Sequence, residues 1–159
     1  MSSNLVIRRA KDSDLPAINR LLRQVLEVHA EGRPDVFKSG GKKYSDSEIL
    51  EIIGCDDTPV YEAVDSGEVL GYAFCEIKCT EENAIKRARR SLFIEDFCVD
   101  ESARGRGVGS ALFDYVKGVA LDGGFDSVTL NVWSFNETAV KFYESRGMSP
   151  LSTIMELKI

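Results

Sequence analysis

The chain has 159 residues, a hydrophobic fraction of 43%, a net charge of −6 and an isoelectric point near 4.9. That length fits one domain over residues 1–159, because two halves would each be too small to bury a good core, and the apolar content excludes disorder throughout. The acidic balance excludes a general nucleic-acid binder, which needs a basic surface, and suits either a cationic partner such as an amine or plain solubility.

The polar start Met1-Ser2-Ser3-Asn4 lacks the apolar core of a secretory leader. Leu5–Arg9 is a short strand candidate. Asp12 or Ser13 can cap the helix that follows, whose apolar positions Leu15, Ile18, Leu22, Val25 and Leu26 recur at helical spacing. Pro16 falls in its first turn, where N–H groups lack partners anyway. Gly32, Pro34, Gly40 and Gly41 make residues 31–44 a loop. Ser45–Ile53 is a second, shorter helix. Pro59–Asp65 and Val69–Lys78 flank Ser66-Gly67 and read as a hairpin. Residues 79–90 are polar and end in Lys86-Arg87-Ala88-Arg89-Arg90, a run that reads as solvated surface, with a phosphate or partner role as the alternative. Leu92–Val99 is a central strand, and Gly107–Asp122 is a helix closed by Gly123-Gly124. Ser127–Trp133 is a further strand, Asn136–Arg146 a helix ended by Gly147, and Met148–Ile159 supplies one or two last strands. This order predicts the α/β (α+β) class, with one mixed sheet and helices on both faces.

The cysteines are Cys55, Cys75, Cys79 and Cys98, and His29 is the lone histidine. No Cys/His cluster completes a metal site, so no metal is expected. Cys75 and Cys98 lie in apolar runs and read as small core residues. No stretch approaches the length of a membrane span. The expectation is a reduced, cytoplasmic protein with neither nucleic-acid nor membrane partners.

The chemistry concentrates at Arg104-Gly105-Arg106-Gly107-Val108-Gly109. The strand Phe93-Ile94-Glu95-Asp96-Phe97-Cys98-Val99 precedes it. The helix after it carries Val108, Ala111, Leu112, Tyr115, Val116 and Val119 on one face, so it packs on the sheet. The first N–H groups of such a helix lack internal partners, and with the helix dipole they form an anion site. Gly105, Gly107 and Gly109 leave room for an anion there, and Arg104 and Arg106 add positive charge. A Walker loop is excluded because no Lys follows the glycines, and a Rossmann turn because the spacing is GxGxG late in the chain. Tight turns also use glycine for steric reasons alone.

Arg104-x-x-Gly107-x-Gly109 resembles the R/Q-x-x-G-x-G/A motif of the GCN5-related N-acetyltransferases. Asn136-Glu137-Thr138-Ala139-Val140-Lys141-Phe142-Tyr143, followed by Arg146-Gly147, resembles the family's second motif, and Ile7-Arg8-x-Ala10-x-x-x-Asp14 its opening strand and helix. The resemblance spans nearly the whole chain. It implies a central sheet of six to seven strands, splayed at an acetyl-CoA site. It also implies that backbone N–H groups from Arg104, Gly105, Arg106, Gly107, Val108, Gly109 and Ser110 bind the pyrophosphate, that the backbones of Phe97, Cys98 and Val99 line the pantetheine arm, and that Asn136 touches the cofactor. A plain N-cap is the other reading of Asn136.

An alkyl amine with a pKa of about 10.4 must lose a proton before it attacks a thioester, and the departing thiolate benefits from one. By the resemblance Tyr143 is the acid; as residues alone, Phe142 and Tyr143 could both be core. Glu95 and Asp96 are the base candidates, with Glu95 the first choice, acting through water; Asp96 could instead orient the substrate or pair with a nearby cation. Neighbours on a strand face opposite sides unless a bulge intervenes, so only one of the two is expected to face a given side. The stretch Phe93-Ile94-Glu95-Asp96-Phe97-x-Val99 resembles the polyamine and thialysine acetyltransferase branch. The expected substrate is a small amine. Protein or peptide N-acetylation, and a non-catalytic acyl-CoA-binding module, are the alternatives. A homodimer is left open, as is whether the 31–44 loop covers or shapes the acceptor groove.

Overall fold

The computed structural model describes residues 4–159; the polar start Met1-Ser2-Ser3 lies outside the described residues. Among these, five strands form one sheet in sequential order: β1 (Leu5–Arg9), β2 (Val60–Asp65), β3 (Glu68–Thr80), β4 (Arg89–Val99) and β5 (Ser127–Leu130). The first four pair antiparallel, and β4 pairs β5 in parallel, so the sheet is mixed. The helices are α1 (Leu15–Gly32), α2 (Asp46–Ile53), α3 (Val108–Asp122) and α4 (Glu137–Ser145).

Alternation along the strands sends one set of side chains to each face. Tyr72, Phe74 and Cys98 pack with Ile18, Leu21 and Leu22 of α1 and Ile49 and Ile53 of α2. Ala73, Cys75, Leu92 and Ile94 pack with Leu112, Phe113, Val116 and Ala120 of α3. Helices therefore cover both faces, as the periodicities require. The Ser45 hydroxyl accepts from the Glu48 N–H (3.2 Å) and the Glu48 side chain accepts from the Ser45 N–H (3.4 Å), a reciprocal cap that starts α2.

Several boundaries differ from expectation. The sheet has five strands among the described residues, not six to seven, because residues 148–159 form no strand: Met148 packs against the core, but residues 149–159 run exposed and pair with no described strand. The strand expected over Ser127–Trp133 stops at Leu130, where β4, its one neighbour among the described residues, diverges. Helix α1 continues through Gly32 into the expected loop. Neither Asp12 nor Ser13 caps α1; residues 12–14 form a tight helical turn, and the Asp14 carboxylate is drawn away by Arg8. The basic run is not all loop, since Arg89 and Arg90 pair with Thr80 and Cys79, and Arg90 lies over the Phe125 ring. No helix among the described residues is long and apolar enough to cross a membrane.

Candidate active site

Two strands part company at the centre of the sheet. β4 and β5 pair only from Ser91↔Ser127 to Ile94↔Leu130, while β4 continues to Val99 against β3 on its other edge. From Glu95 onward the β5-facing edge of β4 has no strand partner among the described residues. This is the expected splay. It leaves backbone groups of Phe97, Cys98 and Val99 on an open edge, where they can bond an extended ligand.

The splay coincides with a bulge. Phe74 pairs with Asp96, but Cys75 pairs with Ile94, so Glu95 has no partner on β3. The extra residue shifts the alternation: Ile94 and Phe97 both pack toward α3, whereas Asp96 and Cys98 turn toward α1. Both carboxylates thereby reach one cation. Lys43 Nζ lies 3.2 Å from Asp96 Oδ2 and 3.6 Å from Glu95 Oε1. The expectation that only one of them could face a given group is thus relaxed by the bulge. Asp96 is buried and Glu95 is exposed. Burial pushes the Asp96 carboxyl up and Lys43 pulls it partly back, leaving it above the ordinary value. For Lys43, burial disfavours the ammonium, but Asp96, Tyr44 and Glu95 outweigh it, and the balance is upward.

The loop before α2 thus enters the site rather than merely bordering it. Tyr44 stacks on Phe74 (5.8 Å, 2° between planes), which fixes Lys43 over the carboxylates. Tyr44, Phe74, Thr58, Glu76 and Glu95 line an open hollow of about 260 Å³ beside them. The Tyr72 hydroxyl is buried near Asp96 but meets it in no hydrogen-bond geometry. Burial lowers the His29 pKa, with Asp96 opposing and Lys43 adding to that effect. Lys43, Tyr44, Tyr72 and Glu76 were not foreseen. The one signal for Lys43 was a cationic pair, Lys42-Lys43, closing a glycine-rich loop.

At the far end of β4, Asp100 accepts from the Ser102 N–H (3.0 Å) and bends the chain into a single turn, Glu101–Ala103, ahead of the glycines. Gly105 (φ 78°) and Gly107 (φ 77°) are left-handed, a region that disfavours side chains. Gly107 is the N-cap of α3 and offers no side-chain cap, so the first N–H groups of the helix point outward unpaired by side chains. Gly109 serves packing instead: a Cβ there would stand 3.4 Å from both Phe142 and Val99. The two sequence motifs, far apart along the chain, meet at this contact. Arg106 leans toward Asp65 (3.5 Å), and Arg104 is exposed.

Tyr143 packs among Phe97 (6.1 Å), Phe113 (6.3 Å) and Phe142 (5.4 Å). Burial, and then Asp96 and Cys98, push its phenol well above the ordinary value, so it holds its proton. No hydrogen-bond partner holds its hydroxyl among the described residues. The Asn136 side chain accepts from the Ala139 N–H (3.3 Å), so Asn136 is an N-cap here. Cys75 and Cys98 are buried thiols, each pushed up to about 12 chiefly by burial, which makes them core groups rather than nucleophiles. Among the described residues no cluster of His, Cys, Asp or Glu could hold a metal.

Known proteins share this sequence pattern and fold. The thialysine N-epsilon-acetyltransferase of Bos taurus is 28% identical over 93% of this chain and 86% of its own length. The crystal structure of a tetramutant of protein BH1408 from Bacillus halodurans superposes with a TM-score of 0.93 at 31% identity, covering 97% of this chain and 99% of that one. An aminoglycoside N-acetyltransferase, AAC(6')-Iy, solved in complex with CoA, shares the fold at 19% identity, with a TM-score of 0.72 over 100% of this chain and 97% of that one. The model of the acetyltransferase (GNAT) family matches residues 22–148, which take in the bulge, the glycine turn and α4. With both motifs in contact at one end of a splayed sheet, and most of its length matched, the chain belongs to the acetyltransferase (GNAT) family and is an N-acetyltransferase by class.

Proposed function

We propose that the chain transfers an acetyl group from acetyl-CoA to the primary amine of a small aliphatic substrate bearing a second positive charge, such as a polyamine or a thialysine-like amino acid. Residues 1–159 act as one N-acetyltransferase domain. The observation that carries this reading is the bulge at Glu95, which aims two carboxylates at one ammonium. The site already holds an ammonium, that of Lys43, and a cationic acceptor would meet the same groups. Glu76 and Glu95 in the adjoining hollow offer a second anionic contact, and the Tyr44 ring offers a cation–π face. The name carried by the Bos taurus relative supports the same substrate class.

The residues present fit acetyl-CoA. The N–H groups from Arg104 to Ser110 suit its pyrophosphate, and the unpaired β4 edge at Phe97, Cys98 and Val99 suits its extended arm, with Asn136 heading α4 nearby in sequence to Tyr143. When bound, acetyl-CoA supplies an acetyl group activated as a thioester. The chain's own residues handle the protons. Glu95, exposed at the bulge, takes the proton of the acceptor ammonium through water. Asp96 anchors positive charge from the buried side. Tyr143, which keeps its proton and has no competing acceptor, donates on the thiol side.

The test is acetyl-CoA turnover, followed by thiol release, against diamines, polyamines, thialysine, aminoglycosides and short peptides. Dicationic aliphatic amines should give the highest kcat/KM. Turnover confined to peptides, or none with any amine while CoA still binds, would overturn the reading.

A further inference from the structure

Lys43 stands between two hollows of opposite charge. Its Nζ reaches Glu95 (3.6 Å), which lines the first hollow together with Glu76. Lys43 also lines a second open hollow of about 260 Å³, against α1, with Asn19, Arg23, Gly40, Gly41 and Lys42. The chain is acidic, at −6, yet this hollow gathers Arg23, Lys42 and Lys43. Lys43 spends its charge on Asp96 and Glu95. Lys42 is bonded to the Asp46 carboxylate, which also accepts from the Asn19 side chain (3.0 Å). Arg23 donates through Nε to the Asn19 carbonyl (3.4 Å), and its outer guanidinium nitrogens have no acidic partner among the described residues.

Even with Lys43 set aside, Arg23 and Lys42 face one carboxylate, that of Asp46, so the hollow keeps positive charge in excess. The N–H groups of Gly41 and Lys42 enter no hydrogen bond among the described residues. A planar guanidinium fork, an ammonium and two free N–H groups are the donors that a planar anion, a carboxylate, matches best. The hollow already shows that preference, because Lys42 and Asn19 hold a carboxylate of the chain itself. The neighbouring site likewise holds an ammonium of the chain, that of Lys43. The two hollows thus have complementary tastes and share one border residue.

We propose that the hollow against α1 is a carboxylate subsite of the acceptor site, with Arg23 and Lys42 as the groups that hold the anion. This rests on the acetyl-transfer reading above and narrows its acceptor from any diamine to a diamino acid. The amines of such a molecule meet Glu95, Asp96 and Glu76, and its carboxylate meets Arg23 and Lys42. A polyamine carries nothing for the second hollow and gains nothing from its cations. Lys43 links the two events. A substrate ammonium that takes its place at Glu95 and Asp96 frees the Lys43 ammonium at the border of the cationic hollow, where it adds to the hold on the carboxylate. Arg23 and Lys42 select the acceptor and take no part in proton transfer.

The test compares acceptors that differ only at the carboxylate: thialysine, its α-amide, and bis-aminoethyl sulfide, the diamine with hydrogen in place of the carboxylate. With the native chain, kcat/KM for thialysine should exceed that for the amide and the diamine about tenfold, the effect of one charge-assisted contact. In the double variant Arg23→Gln/Lys42→Gln the ratio should fall to about one. Both side chains are exposed, so the variant should keep its far-UV spectrum. Calorimetric binding of the same compounds to the CoA-loaded protein reads the same preference without turnover. A native ratio near one in both measurements, or a variant that keeps the tenfold preference, would overturn the subsite. Turnover without the preference sinks the subsite and spares the acetyl-transfer reading; the binding preference without any turnover does the reverse. If the variant does not fold, the native ratios alone decide the matter.

Discussion

Glu95 and Asp96, adjacent on β4, both lie within 4 Å of Lys43 Nζ although neighbours on a regular strand face opposite ways. The bulge makes this possible by giving Glu95 no partner on β3, so that the exposed and the buried carboxylate converge on one point. One ammonium therefore compensates the buried Asp96 and also occupies the space in front of Glu95.

Removing that ammonium has two opposing consequences. Lys43→Met leaves Asp96 buried without its cation, and stability should fall by about 1–3 kcal/mol at neutral pH, the usual cost of an uncompensated buried group. Burial already holds Asp96 above its ordinary value with Lys43 present, so in the variant it rises further. A raised carboxyl contributes stability in full below its unfolded pKa and loses it as pH rises through the folded one. The variant's unfolding midpoint should thus go on falling, as pH rises above the ordinary carboxylate range, over a wider span than the native protein's. The KM for a dicationic acceptor should drop, because its competitor is gone. Denaturant titrations across pH, with steady-state kinetics, check both. An unchanged pH slope would contradict the role given to Lys43.

Gly107 is held at φ 77°, and a Cβ added there would meet nothing within 4 Å. The cost of Gly107→Ala is therefore conformational, not steric: roughly 1–2 kcal/mol for placing an L-residue in the left-handed region. Gly109→Ala has the reverse cause, a Cβ pressed to 3.4 Å from Phe142 and Val99. Its cost should be relieved by trimming Phe142 to Leu, whereas the Gly107 cost should not. Thermal unfolding of the single and double variants separates the two.

What was legible in the sequence was local. The helix opening at Ser45, the hairpin turn at Ser66-Gly67 and the N-cap reading of Asn136 follow from rules that operate within a few residues, and the structure has all of them. What was not legible depends on pairing between distant segments. The bulge exists only relative to β3, and the end of β5 at Leu130 only relative to where β4 diverges. Lys43 became part of the site because Tyr44 stacks on Phe74, a contact across thirty positions that no periodicity encodes. The closing segment had the right pattern for a strand, but pattern does not supply an edge.

A second carboxylate cluster should dominate stability at alkaline pH. Glu62 is fully buried, Arg8 Nη1 lies 3.3 Å from its Oε2, and its Oε1 has no partner. Burial, together with Asp14 beside it, pushes Glu62 up to about 9. For Asp14, burial works upward, but Arg8, bonding it at 2.7 and 3.0 Å, prevails and holds it down at about 2. The signs are opposite. The raised Glu62 contributes stability that is complete below its unfolded value and lost as pH climbs toward 9. The depressed Asp14 contributes above its unfolded value and is lost as pH falls toward 2. Glu62→Gln should flatten the alkaline decline between pH 5 and 9 while leaving the acid limb, which belongs to Asp14, in place. Unfolding midpoints across that range provide the measurement, and an unaltered alkaline limb would show that Glu62 is not its source.

Tyr143 offers the sharpest separation of packing from chemistry. Its ring contacts Phe97, Phe113 and Phe142, all of which Phe at this position would keep, and its hydroxyl gives up no hydrogen bond in the process. Tyr143→Phe should therefore unfold within about 0.5 kcal/mol of the native protein, the range of substitutions that disturb no named feature. If the hydroxyl delivers the proton on the thiol side, kcat should fall on the order of 100-fold. Affinity for CoA should be unchanged, because neither the glycine turn nor the β4 edge is touched. Calorimetric binding of CoA alongside turnover gives the two readouts. Equal loss of affinity and rate would make Tyr143 a wall of the cofactor cleft, and no loss of either would return it to the core it shares with Phe142.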